Sequence, residues 1–190
     1  MEDTLMSILS GTRAPVFHTI DIFGNPIDLA AYQGKPLLLS FFRNAACALC
    51  NLRVHMLIER YADYHRAGLE MVVIFESTAA SMRQYIGRQD VPFPLIADPE
   101  AHLYTLYGVE ISESKVATTM AMSATQQVIG AAAAQGFHLT EEKGSNFLRM
   151  PADFFIGPDG LILDAHYADY IWDHMSFARI EELLGGIVPG

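Results

Sequence analysis

The only two cysteines of the chain, Cys47 and Cys50, stand three residues apart in "LLLSFFRNAACALCNLRVHMLIERY", where an apolar run gives way to helical spacing. Thiols so placed can cycle between dithiol and disulfide. Positions i and i+3 of a helix lie about 5 Å apart at Cα, inside the roughly 4.4–6.8 Å that a disulfide tolerates. Reactivity needs thiolate, and an ordinary thiol with a pKa near 8.5 is only about 3% ionised at pH 7. The free N–H groups and the positive dipole end of a first helical turn favour the anion by up to ~1 kcal/mol, or ~2 in partly buried geometry, which moves the pKa by about one unit. A cation is needed for the rest. Arg43, at the end of the apolar run, and Arg53, one turn beyond Cys50, are the two that can supply it. His55 lies about 140° around the helix from Cys50 and reads as helix packing. Asp153, inside "ADFFIG", is a carboxylate in an apolar run. On the outer face of a strand it is structural; facing the thiols it raises their pKa unless it carries a proton.

The elements around the pair follow from pattern. "KPLLLSFF" is continuously apolar, as a strand buried on both faces of a parallel sheet is. Residues 51–67 then repeat Leu52, Met56, Leu57, Tyr61 and Tyr64 at helical spacing and end in His65, Arg66 and Gly68, a C-terminal signature. Upstream, after a short N-terminal helix candidate, "VFHTIDIFGNPIDL" reads as two short strands about a turn at Gly24, Asn25 and Pro26. Downstream come a strand "LEMVVIF", a helix capped by Ser77 or Thr78, and a strand "FPLIAD". "ADFFIGPDGLILDAHY" is a hairpin, and "SFARIEELLGG" is a closing amphipathic helix. Alternating strand and helix, then a hairpin and a last helix, predicts a three-layer α/β fold of thioredoxin-like order. Its central sheet is mixed and helices cover both faces. Residues 111–149 are too long for a plain connection. Ala-rich around 123–135, they predict a helical insertion within a single domain of residues 1–190, serving as packing, lid or dimer surface.

With 22 acidic against 12 basic residues and a net charge of −10, the chain repels phosphate backbones, so a nucleic-acid partner is not expected. The acidic start "MEDTLMSILS" and the lack of a membrane-length apolar run predict a soluble, cytoplasmic protein without a membrane partner. In a reducing compartment a cysteine pair is catalytic or metal-binding sooner than structural.

Four blocks, "DLAAYQGKPLLLSFF", "RNAACALCNLRV", "FPLIADPEAHLYTLYGV" and "MPADFFIGPDGLIL", resemble in the same order those of the alkyl-hydroperoxide-reductase/thiol-specific-antioxidant proteins. These are the peroxiredoxins and their relatives, and the likeness spans residues 14–167 apart from the insertion. It is greatest to the subgroup that keeps a Cys-x-x-Cys pair. Where peroxiredoxins carry a Pro, then a Thr, then the peroxidatic Cys, this chain has Arg43, Cys47 and Cys50. The resemblance thus implies Cys50 as the peroxidatic thiol, whereas likeness to thioredoxins implies attack by Cys47. It also implies a cis-proline at Pro151 facing the pair, with the Met150 backbone presented to an extended partner. Arg149 falls near the block that brings peroxiredoxins a catalytic Arg. Ser40 occupies the region where thioredoxins carry a buried acid.

The function expected from residues and resemblance together is a peroxidase cycling Cys47 and Cys50. A small thiol or thioredoxin-like protein serves as reductant, no cofactor is needed, and a homodimer is expected by analogy with peroxidase relatives. An oxidoreductase acting on protein or small-molecule disulfides through the same residues is the alternative. A copper or zinc carrier is a third; zinc would draw further ligands from His55, His138 and His166, none of which forms a paired motif.

Overall fold

The computed structural model describes residues 6–187. The N-terminal helix candidate falls partly on residues 1–5, outside the described residues, and residues 6–9 carry no helix. An antiparallel pair, β1 (His18–Ile20) and β2 (Pro26–Asp28), leads into β3 (Leu37–Phe42), and then come α1 (Ala48–Arg66), β4 (Glu70–Phe75), α2 (Ala79–Tyr85) and β5 (Leu95–Ala97). After α3 (His102–Leu106), α4 (Glu113–Ala121) and α5 (Ser123–Ala134), the chain closes with β6 (Ala152–Ile156), β7 (Ile162–Tyr167) and α6 (Phe177–Ile187).

The sheet runs in the order β5-β4-β3-β6-β7. β3 is parallel to β4 and β4 to β5, while β6 and β7 join antiparallel. This is the expected mixed sheet in a three-layer α/β fold. Every residue of β3 is buried, because alternate side chains enter cores on opposite faces. Leu38 and Phe42 point into the core shared with α1 and α6, through Val54, Leu57, Ile180 and Leu184. Leu37, Leu39 and Phe41 point into a second core with Tyr104, Tyr107 and the β1–β2 hairpin.

Helix α1 begins at Ala48, three residues before the start that its apolar spacing predicts. The reason is its cap. Cys47 is the N-cap residue and its sulfur accepts from the Cys50 N–H, a role usually held by Ser, Thr, Asp or Asn. At the other end Gly68, at φ +90°, turns the chain so that its N–H and that of Leu69 satisfy the carbonyls of His65 and Tyr64.

Residues 111–149 leave and rejoin the sheet through a short antiparallel stem. Ile111 bridges Arg149, the Ser112 N–H donates to the Leu148 carbonyl at 2.9 Å, and the Met150 N–H donates to Glu110 at 3.0 Å. Between the two strands of this stem, α5 lies against α1 with Ala132 fully buried. The loop after α5 returns across the start of α1.

Candidate active site

The thiols sit where β3 runs out and α1 begins, at the C-terminal edge of the parallel strands. The turn between them is fixed by hydrogen bonds from distant parts of the chain. Buried Asn51 donates its amide to the carbonyls of Ala45 at 2.8 Å and Cys47 at 3.0 Å, and Gln89 donates to Asn51 Oδ1 at 3.1 Å. Ser77 Oγ accepts from the Ala45 N–H at 2.9 Å and donates to Glu142 at 2.8 Å, while the Ala46 N–H faces the same carboxylate at 3.4 Å. Apart from the alternative Ser77 cap, none of these groups stands out in the sequence, because each partner lies on another element.

Both thiols are free and buried, yet unequal. Cys47 lines a cleft of about 510 Å³ and Cys50 lies behind it, 2% exposed. The Cys50 thiol donates to Cys47, and that bond, with the Arg43 charge and the N–H groups of Cys50 and Leu49, lowers the Cys47 pKa to about 6 against the cost of burial. Cys50 moves the other way. Burial, and then the neighbouring Cys47 thiolate, push it well above the usual thiol range. The directions of the two shifts favour Cys47 as the more acidic sulfur, whereas the peroxiredoxin resemblance implied Cys50.

Arg43 is held rigidly beside the pair. Its Nε donates to the Arg149 carbonyl at 2.9 Å, its Nη2 to the Phe147 carbonyl, and its guanidinium lies 5.1 Å from the Phe147 ring centre. Both carbonyls belong to the end of the 111–149 segment, so this segment aims the cation. The Arg149 side chain points elsewhere. It meets Glu76 at 2.5 Å, donates to the Val109 carbonyl at 2.6 Å and covers the Tyr104 ring, so it is a structural clamp whose backbone, and not its guanidinium, serves the site. Arg53 is also turned away from the thiols: it donates to Met175 at 2.6 Å and stacks 3.9 Å over Phe177. It is not the thiolate's counter-ion.

Met150 and Pro151 do not form the expected platform. No peptide bond among the described residues is cis, so Met150–Pro151 is trans, the form that even X–Pro bonds prefer. The Met150 N–H is already bound to Glu110 of the stem and the Pro151 carbonyl accepts from Ala168, which leaves neither group to a partner strand.

Asp153 lies on the sheet face of α1, not on an outer face. It is opposite Ser40 across the β3–β6 ladder and 1% exposed. Its carboxylate meets His174 Nδ1 at 3.0 Å and accepts from the Met175 N–H at 2.7 Å. Burial alone would raise its pKa, but His174, Arg53 and Ser40 together hold it well below the usual carboxylate range. A buried acid thus enters from β6, beside the serine of β3. The sequence signal was present in "ADFFIG", but its register with Ser40 was not.

His55 packs edge-on to Phe137 and His166 faces Asp173 at 3.2 Å. Among the described residues no group of three His, Cys, Asp or Glu is placed to hold a metal ion. No helix among them is long and apolar enough to cross a membrane.

The cleft before Cys47 is walled largely by the 111–149 segment, through Met120, Ile129, Leu139 and Phe147, with Leu49 and Ile171 opposite. Its lining is mainly apolar, with Arg43, Glu141 and Glu142 as its charged groups and Cys47 in its wall.

The sequence pattern of the AhpC/TSA family matches residues 10–165. A peroxiredoxin of Thermoplasma volcanium is 29% identical over 120 residues, covering 60% of this chain and 58% of that protein. The thiol-disulfide oxidoreductase ResA of Bacillus thuringiensis subsp. konkukian is 27% identical over 100 residues, covering 52% of this chain and 57% of that protein. The match spans less than two thirds of the length of these curated relatives. Among solved structures, the peroxidoxin BcpB of Mycobacterium tuberculosis superposes with a TM-score of 0.64 over 94% of this chain and 95% of that one, at 15% identity. A thiol peroxidase of Chromobacterium violaceum gives 0.65 over 95% and 88%, at 16% identity. At such identities the likeness speaks for the fold.

Proposed function

The chain belongs to the AhpC/TSA family, and from that premise we propose that it is a thiol-dependent peroxidase in which Cys47 attacks and Cys50 resolves. The observation that carries this reading is Cys47 in the wall of an open cleft, with the Cys50 thiol in hydrogen-bonding contact behind it and lowering its pKa. The Cys47 thiolate attacks the O–O bond of a hydroperoxide ROOH. One oxygen stays on sulfur as a sulfenic acid and the other leaves as RO⁻, which takes up a proton. The Cys50 sulfur then bonds to Cys47 with loss of water. Two equivalents of an external thiol return the pair to the dithiol and leave as a disulfide. This cycle belongs in a reducing compartment such as the cytosol, where such thiols are plentiful.

The test is to count free thiols after adding limiting hydrogen peroxide or an organic hydroperoxide to reduced protein. Wild type loses two thiols per peroxide, Cys50→Ser accumulates sulfenic acid on Cys47, and Cys47→Ser reacts no faster than free cysteine. Rapid oxidation of Cys47→Ser would reverse the roles of the two thiols, and slow oxidation of all three would reject the peroxidase.

Disulfide exchange is the second reading, favoured by one specific feature: the thiol with the lowered pKa, and the one that lines the cleft, is the first of the pair, as in thioredoxin-like attack. Here Cys47 attacks a substrate disulfide, and Cys50 displaces the substrate's second thiol from the mixed disulfide. Cys50→Ser trapping a mixed disulfide on Cys47, faster than it consumes peroxide, is the outcome that selects this reading.

A further inference from the structure

A second cavity, of about 320 Å³, opens on the other side of the same turn. The 46–48 turn divides the two clefts, with Cys47 and Leu49 lining the first, and Ala46 and Ala48 the second. Thr140 lines both, so they meet at the loop that follows α5. Their chemistry differs. The first, though mainly apolar, carries Glu141 and Glu142 beside Arg43; the second is walled by Arg88, His138, Tyr85 and Gln89 and has no acidic residue in its lining.

Three features of these walls bear on a ligand. Arg88 forms no salt bridge or hydrogen bond among the described residues, although the chain carries 22 acids against 12 bases. The His138 and Tyr85 side chains likewise have no hydrogen-bond partner there, which leaves further N–H and O–H donors on the same wall. The buried Oε1 of Gln89 has no donor, while its Nε2 is engaged by Asn51. A cation and neutral donors match a carboxylate, and an orphaned amide oxygen matches an N–H.

We propose that this second cleft docks the reductant: a small thiol carrying a carboxylate and an amide N–H, whose carboxylate meets Arg88 while its sulfur crosses the Thr140 boundary to Cys47. The inference rests on the reading of Cys47 and Cys50 as a cycling pair. The incoming thiolate bonds to Cys47 Sγ as the Cys47–Cys50 bond breaks, and Cys50 leaves as a thiolate that takes up a proton. A second thiol displaces Cys47, giving the small-molecule disulfide and the restored dithiol. Separate clefts let the hydroperoxide and the reductant approach Cys47 from different sides. The net charge of −10 repels an anionic thiol at long range, so any preference for one must come from a local cation.

The test compares N-acetylcysteine with N-acetylcysteamine, which share the acetamide and thiol and differ by the carboxylate. Protein is oxidised with diamide, and its reduction rate by each thiol is divided by that thiol's rate on a small exposed disulfide. Wild type favours N-acetylcysteine by up to about fivefold, the worth of one exposed charge pair. Arg88→Gln brings the ratio to one or below, with peroxide oxidation of Cys47 unchanged. Added salt shrinks the wild-type ratio. A wild-type ratio of one or less, or a preference surviving in Arg88→Gln, overturns the proposal. Docking is also read without redox chemistry. S-methyl-N-acetylcysteine, which cannot react, shifts the NMR signals of His138 and the Gln89 amide in wild type and not in Arg88→Gln. If the disulfide does not form, the cycling reading fails, and this titration still decides whether the cleft binds; no shift in wild type overturns the site.

Discussion

On one face of the five-stranded sheet, Phe41, Tyr104, Tyr107 and Phe154 meet ring to ring at 5.0–5.8 Å, and the two tyrosine hydroxyls bond backbone carbonyls. On the other face the same two strands, β3 and β6, place Ser40 and Asp153 side by side, and α1 brings Cys47 and Cys50 to their edge. The first face is filled with apolar area and closed hydrogen bonds, and burial pushes the Tyr104 and Tyr107 hydroxyls up. The second holds the pKa of a buried carboxylate and of a buried thiol down against desolvation, the carboxylate through His174, Arg53 and Ser40 and the thiol through Cys50 and then Arg43. One sheet therefore separates what stabilises the fold from what reacts. Substitutions on the two faces are expected to register in different measurements.

Phe154→Ala is the strongest way to test the separation. Removing a fully buried ring costs roughly 4 kcal/mol of stability by large-to-small truncation. In protein that remains folded, the pH midpoint of Cys47 alkylation is expected to stay put. Denaturant unfolding and iodoacetamide titration measure the two quantities, and a moved midpoint would join the faces.

Asp153→Ala comes next, at about 3 kcal/mol, because it leaves His174 and the Met175 N–H without their buried acceptor. The pH dependence has a definite sign. The folded pKa is depressed, so Asp153 stabilises fully above the ordinary carboxylate pKa of about 4, and this contribution is lost as pH falls below that value towards the folded pKa. Wild type and Asp153→Ala should therefore differ most near neutrality and converge in acid. A gap that stays constant from pH 7 down to pH 2 would show that the carboxylate acts by shape alone.

Arg43→Met is smaller in energy and confined to the reactive face. In wild type, iodoacetamide alkylation should rise with a midpoint near pH 6. Loss of the guanidinium is expected to raise that midpoint by about one unit, which cuts the rate at pH 6 about fivefold and at pH 7 only about twofold. An unmoved midpoint would leave the Cys50 hydrogen bond and the backbone N–H groups as the whole cause.

Asn51→Leu should give the smallest effect. It removes two hydrogen bonds to the 45–47 turn, with a stability loss of about 1–2 kcal/mol and a midpoint rise of less than about one unit. Asn51→Asp, which cannot donate to those carbonyls when ionised, should behave alike. A normal midpoint in both variants would mean that the turn keeps its shape without the clamp.

Local sequence carries much of this architecture. The apolar run of β3, the helical spacing of α1, the Gly68 stop and the turn at Gly157, Pro158, Asp159 and Gly160 are properties of adjacent residues, and the structure forms an element at each. The start of α1 is not legible from adjacent residues, because a sulfur stands in the capping position where an oxygen is the usual signal.

The cysteine pair, its spacing and its place at a strand-to-helix junction were set by the sequence, because they depend on neighbours within one turn of chain. The difference in acidity between the two thiols needs tertiary structure as well. That difference depends on Arg43 reaching carbonyls 104 and 106 residues away, on Asn51 meeting Gln89 across 38 residues, and on a segment that folds back to wall one thiol into a cleft and leave the other behind it. Charge and burial act through space with short range, so even chain neighbours such as Arg43 and Cys50 set a thiol's acidity only in the positions that distant contacts give them.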